Sequence, residues 1–190
     1  MSWLPDALPE SVEIDGLVFM PLTPALVEPD YAAVMRDVPM LRAWSGQDWP
    51  TATFPIADNL ADLERHHREQ LDGVALTYSV LIDAVVQGCV YVWPLPAAFQ
   101  GRHVVVPPGL ALRADEVVVR GWLHDRSATE FIAATLAWLG AEPFEFPRLW
   151  WQTNSQCPDQ LAACDQLGLS ETLSVEGDDR TWVLRVAPFA

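Results

Sequence analysis

EVVVRGWLHDRSATEFIAATLAWLG, residues 116–140, changes its hydrophobic period half-way along. Val117, Val118 and Val119 lead to Trp122 and Leu123, and this β-branched and aromatic run reads as a strand. A polar turn follows over 124–129. From Phe131 the apolar residues Phe131, Ile132, Leu136, Trp138 and Leu139, with Thr135 among them, fall close to the spacing of a helix with one buried face. Ser127 or Thr129 can cap that helix, and Glu130 lies in its first turn, where a carboxylate suits the helix dipole. A strand running straight into a helix aims backbone N–H groups beyond the strand end, and anions such as pyrophosphate bind at such places. The same pattern also describes an ordinary α/β crossover.

The 190 residues, 51% hydrophobic and 10% aromatic, supply the core of one compact domain, expected over 16–190 behind an arm at 1–15. Eleven Arg and no Lys stand against 26 Asp plus Glu, a net charge of −15. That field repels phosphate backbones and anionic membranes, so neither nucleic acid nor membrane is expected as a partner. Neutral or cationic small molecules suit it better, although a solvated acidic surface explains the charge equally. Cys89, Cys157 and Cys164 lack the spacing of a metal site or a disulfide framework and suit a reducing cytoplasm. The first residues carry no signal-peptide pattern. His66 and His67 are adjacent and diverge by about 100° on a helix, so no metal is expected.

Outward from the central stretch, 16–22 reads as a first strand. Thr23-Pro24 opens a helix through Val27, Tyr31, Val34 and Met35, a second short segment covers 40–44, and 56–70 forms an amphipathic helix burying Leu60, Leu63 and His67. Residues 74–82 and 87–93 read as an antiparallel hairpin turning at Asp83-Ala84, and 95–113 as a loop or extended excursion. Beyond the centre, 148–153 is a strand, Asn154-Ser155 cap a helix over 158–167 that stops at Gly168, and 170–175 with 181–186 close the chain as a hairpin through the turn 176–180.

This order resembles the GNAT superfamily of acyl-CoA-dependent N-acetyltransferases. Two stretches carry the likeness: RLWWQTNSQCPDQLAACDQLGL at 148–169, with its strand, Asn, helix and LGL turn, and the hairpin VALTYSVLID taken with WLHDRSATEF and LAWL. The resemblance implies an α+β (mixed α/β) fold, a central, mostly antiparallel splayed sheet flanked by helices, with acetyl-CoA entering the gap as co-substrate. The family's turn usually reads Q/R-x-x-G-x-A/G. Here Arg126 takes its first place, while Thr129 and Phe131 stand where small residues would let backbone amides close on phosphate. The family's acidic tyrosine has its place at Cys164, a thiol that can donate a proton or simply pack.

Acetyl transfer to an amine needs a proton acceptor and a donor that polarises the thioester carbonyl. The resemblance puts that donor at the backbone N–H of Leu123 or His124. The candidate bases within reach of that strand are His124, an imidazole being a residue type suited to taking a proton near neutral pH, Asp125 and, at the strand's far end, Glu116. Arg126, Ser127, Ala128 and Thr129 are the expected phosphate-binding residues, and Arg126 has the alternative of an ion pair with Asp125 or Glu130. Asn154 either hydrogen-bonds the pantetheine arm or caps its helix. Trp44, Asp48 and Trp49, with Tyr78 from the hairpin, are candidates to seat a cationic amine, although the indoles equally fill the core edge. The expected function is transfer of an acetyl or other acyl group to an amine of a small molecule or peptide; the alternative is a catalytically degenerate GNAT-fold binding or interaction module, with a homodimer through its closing strands or exposed tryptophans as one form of it.

Overall fold

A computed structural model describes residues 3–5, 7–99, 103–176 and 180–186. The fold is α+β with a mostly antiparallel sheet flanked by helices. By internal contacts the chain divides into two compact units, Met1–Tyr91 with Gly121–Arg126 and Val92–Arg120 with Ser127–Ala190.

In the first unit β1 (Val12–Ile14) and β2 (Leu17–Pro21) pair antiparallel around Asp15 and Gly16, which have φ of 52° and 78°. The lead-in expected to be irregular thus ends in a strand. The hairpin of β3 (Leu76–Ile82) and β4 (Val85–Pro94) turns where expected, through Asp83 and Ala84 at φ of 50° and 63°. The local strand order is β1-β2-β3-β4, followed by the end of β6 (Val117–Leu123). Pro24–Leu26 form a 3-10 turn before α1 (Val27–Arg36) begins, and α2 (Val38–Ser45) is capped by the Asp37 carboxylate on the Met40 N–H and stopped by Gly46 at φ 74°.

Helix α3 (Ile56–Leu71) buries Asn59, Leu63 and His66, a face turned away from the expected one of Leu60, Leu63 and His67. Polar partners decide the difference. The Asn59 amide donates to the Asp30 carboxylate at 2.9 Å, and the His66 ring lies 3.1 Å from a Glu69 oxygen and 3.3 Å from the Thr77 hydroxyl. Beneath these helices the core is built from Phe19, Val34, Leu41, Trp44, Leu63 and Tyr78, each large side chain contributing about 1.5–3 kcal/mol by its removal from water.

In the second unit β6 runs parallel to β7 (Leu149–Asn154) in a register from Val117↔Leu149 to Val119↔Trp151. The register ends with Val119 and Trp151. β7 turns instead to β9 (Thr181–Val186), which pairs antiparallel with β8 (Glu171–Glu176); the turn residues 177–179 lie outside the described part. The stretch expected as a loop holds a one-turn helix, α4 (Leu95–Ala98), and a strand, β5 (Val104–Val105), that borders β8. Leu95, Val118, Trp150, Leu173, Leu184 and Val186 form one core. Helices α5 (Ala128–Leu139) and α6 (Pro158–Gln166) pack on each other, and Phe131 meets Trp151 edge to face at 5.5 Å. Among the described residues no helix is long and apolar enough to cross a membrane.

Candidate functional site

The turn between β6 and α5 is held from both of its ends. On the first unit's side the His124 N–H donates to the Gln87 carbonyl at 2.9 Å, and the buried His124 ring sits 3.0 Å from the Ala33 carbonyl through Nε2. A carbonyl only accepts, so Nε2 carries the hydrogen of this bond. The Trp122 ring meets the imidazole at 5.5 Å and fixes it further. Gly88 of β4 makes this approach of strands possible: a Cβ there would lie 2.2 Å from the Trp122 carbonyl oxygen.

Asp125, next in the chain, has φ 60° and grips Arg36 of α1 through both carboxylate oxygens, at 2.7 and 2.6 Å. The guanidinium holds the Asp125 carboxyl below the ordinary carboxylate range, chiefly by these hydrogen bonds. Arg126 is exposed, with a guanidinium nitrogen near Gly16.

On the second unit's side Ser127 is the N-cap of α5 and, with Glu130, forms a complete capping box. Ser127 Oγ accepts the Glu130 N–H at 3.2 Å, while the Ser127 N–H and hydroxyl both donate to Glu130 Oε2, at 3.1 and 2.7 Å. A carboxylate of the chain's own thus takes an amide at the helix N-terminus. Of the two candidate caps the chain uses Ser127; the Thr129 hydroxyl donates to Gln166 of α6 at 2.8 Å, and Ala128 opens the helix between them.

Elsewhere in that unit Glu116 is fully buried, accepting the Trp150 indole N–H at 2.7 Å and facing Arg148 at 3.5 Å. A cavity of about 640 Å³ lies beside Arg148, walled by 107–111 with Ser170 and Thr172. Asn154 is buried at the end of β7, and its Oδ1 accepts the Gln156 N–H at 2.8 Å, so it shapes the turn while Cys157 occupies the N-cap of α6. Cys164 is buried in α6, and burial pushes its thiol up to about 11.

Of the residues considered for an amine seat, Trp44 lies in the first unit's core against Tyr91 at 5.7 Å, and Tyr78 is fully buried there. Asp48 and Trp49 lie nearer solvent: the Asp48 carboxylate is 79% exposed, 3.1 Å from Arg42, and Trp49 meets Phe54 edge-on at 5.9 Å. Two features escape a reading of the sequence. Arg36 meets Asp125 across 89 residues, and Asp30 meets Asn59 across 29, so no local spacing announces either pair. Among the described residues no group of His, Cys, Asp and Glu is placed to hold a metal ion.

No protein-family model and no curated protein matches the chain. Solved structures do. The microcin C7 self-immunity acetyltransferase MccE, in complex with acetyl-CoA and AMP, superposes with a TM-score of 0.66 over 96% of this chain and 98% of that one. The fold is that of the GNAT acetyltransferases. RimL, the ribosomal L7/L12 α-N-protein acetyltransferase in complex with coenzyme A, gives 0.66 over 93% and 97%, and the ribosomal-protein-S5-alanine acetyltransferase of Vibrio fischeri gives 0.65 over 93% and 94%. Identities of 12%, 11% and 12% in the same order make this a likeness of GNAT fold.

Proposed function

We propose that this GNAT-fold chain transfers an acetyl group, or another acyl group, from acyl-CoA to an amine of a small molecule or peptide. The observation that carries the reading is the likeness to acetyltransferases seen with acetyl-CoA or coenzyme A along nearly the whole chain. Successive strand N–H groups point to opposite edges. Since His124 gives its N–H to Gln87, Leu123 directs its own to the other edge, where it suits the thioester carbonyl.

In this scheme the amine attacks the carbonyl carbon, a C–N bond forms as the C–S bond breaks, the amine's proton passes to His124 Nδ1 or to water, and the departing thiolate takes a proton from water. Arg126 faces the pyrophosphate. Asp48 and Trp49 border the amine. Three buried free thiols suit a reducing cytoplasm.

Isothermal titration with acetyl-CoA, using pantetheine as the phosphate-free control, tests the reading. Micromolar affinity that pantetheine does not match, lowered about ten-fold in Arg126→Ala, is expected for loss of one charge-assisted contact. No binding at millimolar acetyl-CoA rejects it. One observation favours a second reading, a GNAT-fold interaction module without transfer: the Glu130 carboxylate already occupies the Ser127 amide.

A further inference from the structure

Asp125 sits at φ 60°, in the left-handed region that a residue with a Cβ enters less readily than glycine does. It also puts a carboxylate beside Arg126, the residue facing phosphate in the reading above, where a negative charge works against the ligand. One side chain answers both problems. Arg36, in the last turn of α1, donates Nη1 to Asp125 Oδ2 and Nη2 to Asp125 Oδ1, and Nη1 also donates to the Gln87 side-chain oxygen at 2.7 Å. A planar guanidinium matches a carboxylate in this paired geometry, which an ammonium does not. Three residues earlier on the same helix, the Ala33 carbonyl accepts from His124.

We infer that Arg36 is a positioning residue for the turn that follows β6, latching Asp125 in its left-handed conformation and cancelling its charge so that an anionic ligand is admitted beside it. The inference rests on the acyl-CoA reading for its ligand and on geometry alone for the latch. The pair is solvated, with side chains 46% and 48% exposed, and such pairs add little to global stability. Its work is local.

Two measurements test it. The first is hydrogen exchange on the ligand-free protein. Arg36→Ala should speed exchange of the amides at 124–127 about ten-fold, with α3 unaffected; unchanged exchange at the turn overturns the latch. The second is titration with acetyl-CoA and pantetheine. Arg36→Ala should weaken acetyl-CoA about ten-fold and leave pantetheine unchanged, Arg36→Lys, which keeps the charge without the paired geometry, should restore part of the affinity, and Asp125→Asn in the Arg36→Ala background should recover most of the loss. Equal acetyl-CoA affinity in wild type and Arg36→Ala, or no recovery in the double variant, overturns the charge-cancelling role. Should the wild type itself not bind acetyl-CoA, the function reading falls and the exchange experiment alone decides the latch.

Discussion

Asp30 is 3% exposed, and burial, opposed by the hydrogen bond from Asn59, raises its carboxyl from 3.8 to about 6. The folded state therefore holds this proton more tightly than the unfolded chain does. The resulting stability is full below pH 3.8 and is lost as pH rises through about 6. Its size is on the order of 2–3 kcal/mol. Asp30→Asn keeps an acceptor for Asn59 without the charge, so it should raise the melting temperature at pH 7.5 and flatten the stability profile between about pH 4 and 7. An unchanged profile means that water reaches the carboxylate. Glu130→Gln acts on the other conspicuous acid: removing a negative charge from the start of α5 should tighten acetyl-CoA binding several-fold. Looser binding would show the carboxylate to be organising the turn. Glu130 is marked in the sequence by its place in the first turn of the helix, whereas Asp30 looks like an ordinary polar position until its partner Asn59 is known.

Among the elements, the strand-to-helix change at 116–140 was legible because its periods are long and its cap is chemical: β6 and α5 fall where the residues put them, and Ser127 starts the helix. Helix α3 was legible in extent but not in facing, since a scan for apolar residues passes over Asn59 and His66, which are buried through hydrogen bonds. Strands of two or three residues such as β1 and β5 carry too few positions to show a period. Of the candidate site, the turn at 123–129 could be read in advance, whereas its fastening to α1 could not. Gly88 marks a close approach between β4 and β6. Because a methyl group would strike a backbone carbonyl rather than a yielding side chain, Gly88→Ala should lower the melting temperature by more than about 10 °C or abolish folding. Near-native melting would mean that β4 and β6 can separate at no great cost.

At the scale of the whole molecule the excess of acid is the dominant physical fact. With a net charge of −15 the folded chain repels itself, and salt screens that repulsion. The melting temperature at pH 7.5 should rise by about 5 °C between roughly 20 mM and 500 mM NaCl; a fall would mean that specific ion pairs outweigh the general field. The two outermost strands point to a different property. β1 is three residues long and β5 two, so each offers a passing chain only a couple of backbone donors and acceptors. A strand this short is a poor template, because an incoming chain finds few rungs on it to dock against.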